Sequence, residues 1–218
     1  MLELLFPERC AVCARPGPAL CGHCRGALVR LTPPVCDRCG SPGPWPVRRC
    51  AECAGRRLAF AHARAAIVYD ERARALVRSW KEQGRRRLAT VAAELVAEVV
   101  VPPRVDAVAH VPGDPERAWE RGDVPPRGLV LSLCELWGLP AADLLRRART
   151  LPRQRGLSLA DRRRNVRGTV VAVGDAPRRV CLVDDVYTSG ATADACASAL
   201  RRAGTRYVEV ITLARAVR

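Results

Sequence analysis

Hydrophobic and polar positions follow a regular alternation beyond residue 62. Short apolar runs, typical of buried parallel strands, occur at 65–69, 105–111, 180–183 and 207–213. Between them, apolar residues recur every three or four positions, as in amphipathic helices. Such helical stretches follow Asp70, run over 88–99 and 127–137, and resume at 193–202. This alternation predicts an α/β fold with a parallel sheet flanked by helices.

Residues 1–58 have no such pattern and carry eight of the eleven cysteines. These form four pairs with a two-residue gap, Cys10/Cys13, Cys21/Cys24, Cys36/Cys39 and Cys50/Cys53. Four thiolates make one tetrahedral Zn²⁺ site, so the pairs predict structural zinc, as one or two ions. The simplest arrangement is that two consecutive pairs share one ion. An arrangement in which non-consecutive pairs share an ion stays open. Disulfides are the alternative, but they need an oxidising compartment. We therefore predict two domains, 1–58 and 59–218.

The stretch from Val180 to Thr192 contains the clearest candidate site. Asp184 and Asp185 lie at the carboxyl end of a predicted strand, where ligands bind in open α/β sheets. A turn of small residues then opens a helix, and backbone N–H groups at a helix start favour phosphate. The members of that turn are Thr188, Ser189, Gly190, Ala191 and Thr192. The simpler interpretation is an ordinary strand end with an aspartate cap.

Residues 183–192 resemble the phosphoribosyl-pyrophosphate (PRPP) motif of type I phosphoribosyltransferases. Together with the four cysteine pairs, residues 4–7, Trp80-Lys81 with Gly84, and an element within 154–168, they resemble the ComF family of competence-associated proteins. This resemblance implies a type I phosphoribosyltransferase-like sheet behind a double zinc ribbon. It further implies that Asp184 and Asp185 contact ribose hydroxyls, with Mg²⁺ as a candidate cofactor. The 188–192 turn would hold a 5′-phosphate, supplemented by Lys81.

The chain departs from the family in the loop that would hold pyrophosphate. It has His110-Val111-Pro112 where the family usually has Pro-Val-Pro, and residues 123–125 lack the family's amide side chains. Transfer of a ribosyl group needs a stabilised leaving group and an aligned nucleophile. The sequence therefore favours ligand binding over transfer and leaves enzymatic activity open.

Positive charge is concentrated in one segment of a strongly basic chain. The net charge is +15 with a sequence pI near 10.3, and residues 146–167 contain nine arginines and one acid. A solvated loop in a chain from a GC-rich genome is the simpler interpretation. Arginine clusters also bind phosphate, either in PRPP or in a nucleic-acid backbone. The candidate contacts are Arg149, Arg153, Arg155, Arg162, Arg163 and Arg164.

The resemblance to the ComF family implies an accessory protein of DNA uptake, and with the observations above we predict that it is cytoplasmic and binds single-stranded DNA and a PRPP-like sugar phosphate. No apolar run approaches the ~18 residues of a membrane helix, and the first residues lack the basic start of a signal peptide. Two alternatives stay open. One is an active phosphoribosyltransferase with a nitrogenous base as acceptor, and the other is a protein-interaction adaptor that uses the zinc ribbons. DNA-uptake or DNA-processing proteins are the candidate protein partners.

Overall fold

The computed structural model describes residues 8–82, 84–113, 125–148 and 169–217. Five helices are assigned in these ranges, and they are α1 (Gly22–Gly26), α2 (Glu71–Glu82), α3 (Arg87–Ala97), α4 (Pro125–Trp137) and α5 (Ala191–Arg202). The strands there are β1 (Ala63–Val68), β2 (Ala107–His110), β3 (Leu145–Arg147), β4 (Val170–Ala172), β5 (Arg179–Tyr187) and β6 (Tyr207–Arg215).

The central sheet has four parallel strands in the order β1-β6-β5-β2. Strands β5 and β6 occupy the centre, and eight residue pairs from Arg179↔Tyr207 to Tyr187↔Arg215 fix their register. Their inner positions are almost continuously buried, as expected for a parallel sheet covered on both faces. The predicted α/β class is therefore confirmed.

Chain segments outside the strands cover both edges of this sheet. Leu31 N–H donates to Ala66 O and Val68 N–H donates to Val29 O, so the linker after α1 runs along β1. At the opposite edge, Val108 N–H donates to Pro140 O, and Ala142 N–H donates to Val108 O. Both edge strands thus have hydrogen-bond partners that block pairing with another chain.

The two cysteine-rich ribbons pack on opposite faces of the sheet. Leu20 and Leu28, from the first ribbon (8–28), belong to the same apolar cluster as Trp80, and helices α2, α3 and α4 complete that face. Phe60 follows the second ribbon (34–58) and belongs to the cluster on the other face, with Leu200 of α5. The ribbons therefore contribute to both hydrophobic cores, and the boundary at residue 58 stays a prediction.

Polar contacts add to this packing between the first ribbon and α3. Arg25 donates to Glu94 Oε2 at 2.8 Å and to Glu98 Oε1 at 2.5 Å, and Arg30 donates to Glu98 Oε2 at 2.7 Å. A single partly exposed ion pair adds little to the free energy of unfolding, but a branched network of such pairs fixes the orientation of the ribbon relative to α3. In the described part of the chain, no helix combines the length and apolar character needed to cross a membrane.

Candidate functional site

The eight ribbon cysteines converge as two groups of four. Within each group all sulfur atoms lie within 4.8 Å of one another, and the groups are Cys10/Cys13/Cys21/Cys24 and Cys36/Cys39/Cys50/Cys53. Sulfur–sulfur distances include 3.8 Å for Cys13–Cys21, 3.7 Å for Cys36–Cys53 and 3.5 Å for Cys39–Cys50. Tetrahedral Zn–S bonds of ~2.3 Å place sulfurs about 3.8 Å apart, whereas a disulfide needs about 2.05 Å.

Both sites therefore suit Zn²⁺, and the pairing is consecutive. Backbone N–H groups support the thiolates, since Cys21 N–H donates to Cys10 Sγ at 3.5 Å and Cys50 N–H to Cys36 Sγ at 3.3 Å. Four thiolates leave no coordination position for water, so each zinc is structural. The remaining cysteines, Cys134, Cys181 and Cys196, are buried in the cores as expected for apolar side chains.

The acid pair lies near the carboxyl end of β5, just beyond the last residue of β5 that pairs with β2. Asp185 N–H donates to Asp184 Oδ1 at 2.9 Å, and Val186 N–H donates to Asp185 Oδ1 at 2.7 Å, so the backbone orients both carboxylates. The side chain of Asp185 is only 7% exposed, and its Oδ2 pairs with Lys81 Nζ. Lys81 is in the last turn of α2, which brings this lysine to the acids.

Asp184 has an unusual protonation equilibrium. Loss of hydration raises the pKa of its carboxyl group to about 7, while Lys81 and Arg147 act in the opposite direction. A carboxyl group with that pKa exchanges its proton near neutral pH. Hydroxyl groups that donate to the carboxylate, or an added cation, would favour the ionised form.

The 188–192 loop connects β5 to α5 through a left-handed residue. Gly190 has φ +70° and precedes the first residue of the helix. A Cβ atom there would lie 2.5 Å from Tyr187 Cζ, so the position requires glycine for both backbone and space. A small depression is lined by Asp184, Thr188, Gly190, Thr192 and Thr212. Of the predicted residues, Asp184, Thr188, Gly190, Ala191 and Thr192 line this depression, whereas Asp185, Ser189 and Lys81 are not among its lining residues.

The loop after β2 borders the same end of the sheet. Val111 N–H donates to Val183 O at 2.9 Å, and Arg147 Nε donates to Pro112 O at 3.3 Å. The side chain of His110 is 12% exposed, and its Nδ1 lies 3.4 Å from Asp143 Oδ1. Burial lowers the pKa of its imidazole. Residues 121–124, which carry part of the family departure, lie outside the described residues.

Sequence reasoning missed Arg147, Thr212 and Arg215. Arg147 ends β3, a strand that the short apolar pattern did not reveal, and its charge partly offsets the rise that burial causes in the pKa of Asp184. Arg215 ends β6 with 1% of its surface exposed. The available signal for Arg215 was an arginine directly after the apolar run of β6, because a buried arginine needs dedicated partners.

The six candidate phosphate contacts Arg149, Arg153, Arg155, Arg162, Arg163 and Arg164 lie outside the described residues. The antiparallel pair β3/β4 flanks that segment, and Ala148 N–H donates to Thr169 O at 2.8 Å. The segment therefore leaves and re-enters the described fold at one place. Arg147, which precedes the segment, donates to Pro112 O in the loop that borders the same end of the sheet as the acid pair.

Comparison with known proteins agrees with this architecture. The model of a family described as "Double zinc ribbon domain" matches residues 1–55. Competence protein F of Haemophilus influenzae is 28% identical over 209 residues, which cover 90% of each chain. This chain is similar to Competence protein F over nearly its whole length. DNA utilization protein YhgH of Salmonella typhi is 27% identical over 97% of this chain and 99% of its own. The resemblance to the ComF family is thereby confirmed.

Solved structures with similarity to the chain include phosphoribosyltransferases. Orotate phosphoribosyltransferase from Aeropyrum pernix has 22% identity and a TM-score of 0.37, with 68% of this chain and 67% of that chain covered. The "allosteric regulatory enzyme of purine biosynthesis" has 26% identity and a TM-score of 0.39. The match covers 57% of this chain but spans only 24% of that enzyme.

Proposed function

We propose that this protein is an accessory factor of DNA uptake that binds DNA and a ribose 5-phosphate-type ligand such as PRPP. The observation that carries the ligand proposal is the acid pair Asp184/Asp185 near the carboxyl end of β5, with the 188–192 loop beginning directly after that strand. The role in DNA uptake is supported by the printed names of its homologues, Competence protein F and DNA utilization protein.

Each part of the proposed ligand has a chemically matched partner. Ribose hydroxyls would donate to the carboxylates of Asp184 and Asp185, and the 5′-phosphate would accept from backbone N–H groups and hydroxyls of the 188–192 loop. Because Lys81 pairs with Asp185, ligand binding would redirect this ammonium group from the carboxylate to the phosphate. The zinc ions take no part in this step and stabilise the fold.

Calorimetric titration with ribose 5-phosphate and PRPP tests the ligand proposal. We expect Asp185→Asn to weaken binding about tenfold or more, because charge-assisted hydrogen bonds to the hydroxyls are lost. Asp106→Asn is the matched control, since Asp106 is an exposed acid that accepts from Arg179 N–H at the opposite end of β5. Titrations with and without Mg²⁺ test the predicted cofactor. Equal affinities for wild type and Asp185→Asn would contradict the proposal.

The arginine segment is the proposed contact for single-stranded DNA. Backbone contacts dominate in such a site, so sequence preference is weak and the logarithm of the binding constant falls linearly with that of salt concentration. Replacing Arg162, Arg163 and Arg164 by alanine should reduce that slope by about 2, at roughly 0.7 per phosphate contact on a single strand. Replacing Arg72, Arg74 and Arg78 on the exposed face of α2 is the control for total charge. A slope that is unchanged, or that changes equally in both triple variants, contradicts the assignment.

An active phosphoribosyltransferase is the second candidate function, favoured by the same acid pair and loop. It requires pyrophosphate release from PRPP in the presence of a nitrogenous base. Steady release with any base from a panel would establish turnover, and binding without release would support the accessory role. The altered loop at His110–Pro112 favours binding without release.

A further inference from the structure

The second ribbon is connected to the end of the central sheet by one buried side chain. Arg215 NH1 donates to Cys39 O at 2.6 Å, and NH2 donates to Glu52 Oε2 at 2.5 Å and contacts Cys39 Sγ at 3.6 Å. Arg215 is 1% exposed. Cys39 is a ligand of the second zinc site, so this guanidinium joins that site to the carboxyl end of β6.

The same guanidinium contacts the residue that shapes the 188–192 loop. Its Cζ lies 4.6 Å from the centroid of the Tyr187 ring, a favourable cation–π arrangement. Tyr187 is 4% exposed, and its hydroxyl end packs against Gly190. Tyr187 therefore contacts both Arg215 and the turn of the loop.

Two further contacts reach α5 and Tyr187 from the chain just after the second ribbon. Ala59 N–H donates to Asp194 Oδ1 at 2.7 Å, in the first turn of the helix that follows the loop. Phe60 meets the Tyr187 ring edge to face, with centroids 6.4 Å apart. The loop is thus bracketed by groups whose positions depend on residues 36–60.

We propose that the second zinc ribbon holds the 188–192 loop in its ligand-binding shape through Arg215 and Tyr187, so that zinc at Cys36/Cys39/Cys50/Cys53 sets the affinity for the ribose phosphate. The inference rests on the proposed function of that loop. Zinc fixes the backbone of the Cys36–Cys39 knuckle and with it the Cys39 carbonyl that Arg215 uses. Without the metal, Arg215 loses that anchor and Tyr187 loses its fixed neighbour.

The first ribbon provides a comparison within the same molecule. Arg25 of that ribbon pairs with Glu94 of α3 and with Glu98 just after α3, and Arg30, just after the ribbon, also pairs with Glu98. Glu98→Gln and Glu52→Gln each weaken an ion pair that links a ribbon region to the phosphoribosyltransferase-like sheet domain. The pair that Glu98→Gln weakens lies at the end of α3. The two variants make the same chemical change, and only Glu52→Gln acts on the chain of contacts to the loop.

The experiment measures ribose 5-phosphate affinity by calorimetry, zinc content, and amide hydrogen exchange at residues 186–194. We expect Glu52→Gln to weaken binding about three- to tenfold, a typical range for a positioning contact, and to speed exchange in 186–194 with both zinc ions retained. Cys50→Ser should lose one zinc per chain and give a larger effect in the same direction. Glu98→Gln should leave affinity and exchange at wild-type values.

The outcomes separate this inference from the function on which it rests. If the wild type binds no ribose phosphate, the proposed function fails, and exchange at 186–194 still decides whether the ribbon holds the loop. If Glu52→Gln and Cys50→Ser leave both affinity and exchange unchanged, the coupling is wrong although the ligand proposal stands. An equal effect of Glu98→Gln on affinity and exchange would show that both variants act through overall stability, and it would overturn the inference.

Discussion

Asp184 makes the stability of the ligand-free protein depend on pH. Its pKa is raised by lost hydration from 3.8 to about 7, so the folded state resists ionisation that the unfolded chain accepts. Below the pKa of Asp184 in the unfolded chain, this residue is protonated in both states and its full contribution to the free energy of unfolding is present. That contribution is lost as pH rises through the pKa in the folded state, so ionisation of Asp184 destabilises the protein most above pH 7.

We therefore expect Asp184→Asn to stabilise the empty protein at pH 8 and to change it little at pH 4. Three pKa units correspond to ~4 kcal/mol as an upper bound, and partial exposure of the side chain reduces the gain to about 1–2 kcal/mol. Urea unfolding of both proteins across this pH range measures it. A difference that is constant with pH would contradict the role of ionisation.

Gly190 is constrained by its backbone and by Tyr187. Gly174 has a similar φ, +66° against +70°, but a Cβ atom there would meet nothing within 4 Å. Gly174→Ala should cost about 1 kcal/mol from backbone strain alone. Gly190→Ala should cost at least about 1 kcal/mol more, because the methyl group displaces Tyr187. Equal costs in chemical denaturation would show that the tyrosine yields freely.

Among the elements, α2 positions Lys81 and begins at a single cap. Ala73 N–H donates to Asp70 Oδ1 at 2.9 Å, which satisfies one of the free donors at the helix start. Asp70→Ala should reduce the free energy of unfolding by about 1 kcal/mol, and Asp70→Asn should retain most of the stability. Thermal unfolding of the two variants measures the cap. An equal loss in both would assign the effect to charge instead.

The sequence predicted the elements of the central sheet because a parallel sheet requires long buried runs. Its boundaries were less well predicted, since β5 continues through Asp184 and Asp185 to Tyr187, where backbone pairing outweighs side-chain polarity. Strands β3 and β4 have three residues each and leave too short a pattern to detect. Arg147 and Arg215 were missed because their roles depend on contacts between distant parts of the chain, such as Arg215 with Cys39.

At the scale of the whole molecule, the ribbons and the sheet form a shared structure. Cys24 and Leu28 pack with α2 and α3 on one face, and Cys53 and Phe60 pack with α5 on the other. The apolar cover of each face is therefore incomplete without its ribbon. Removing zinc should weaken the sheet as well as the ribbons, since zinc binding and folding are coupled in such small units.

Chelation of zinc at neutral pH should thus lower the thermal midpoint of the entire chain. Circular dichroism, which reports the sheet and helices, and thiol reactivity, which reports the ribbons, should change in one transition. A midpoint for the sheet that is unaffected by complete zinc removal would contradict this expectation and support independent domains.

The order of synthesis gives the position of the ribbons a consequence for the newly made chain. Residues 8–60 are synthesised before the strands of the sheet. The hydrogen-bond partner of Ala59, Asp194, is made later, and so is that of Cys39, Arg215, which is 176 residues further along the chain. Until β5 and β6 are complete, Leu28 and Phe60 have no sheet to cover. Early zinc capture would keep each cysteine group from cross-linking during that interval, so metal supply during translation should govern the yield of native protein.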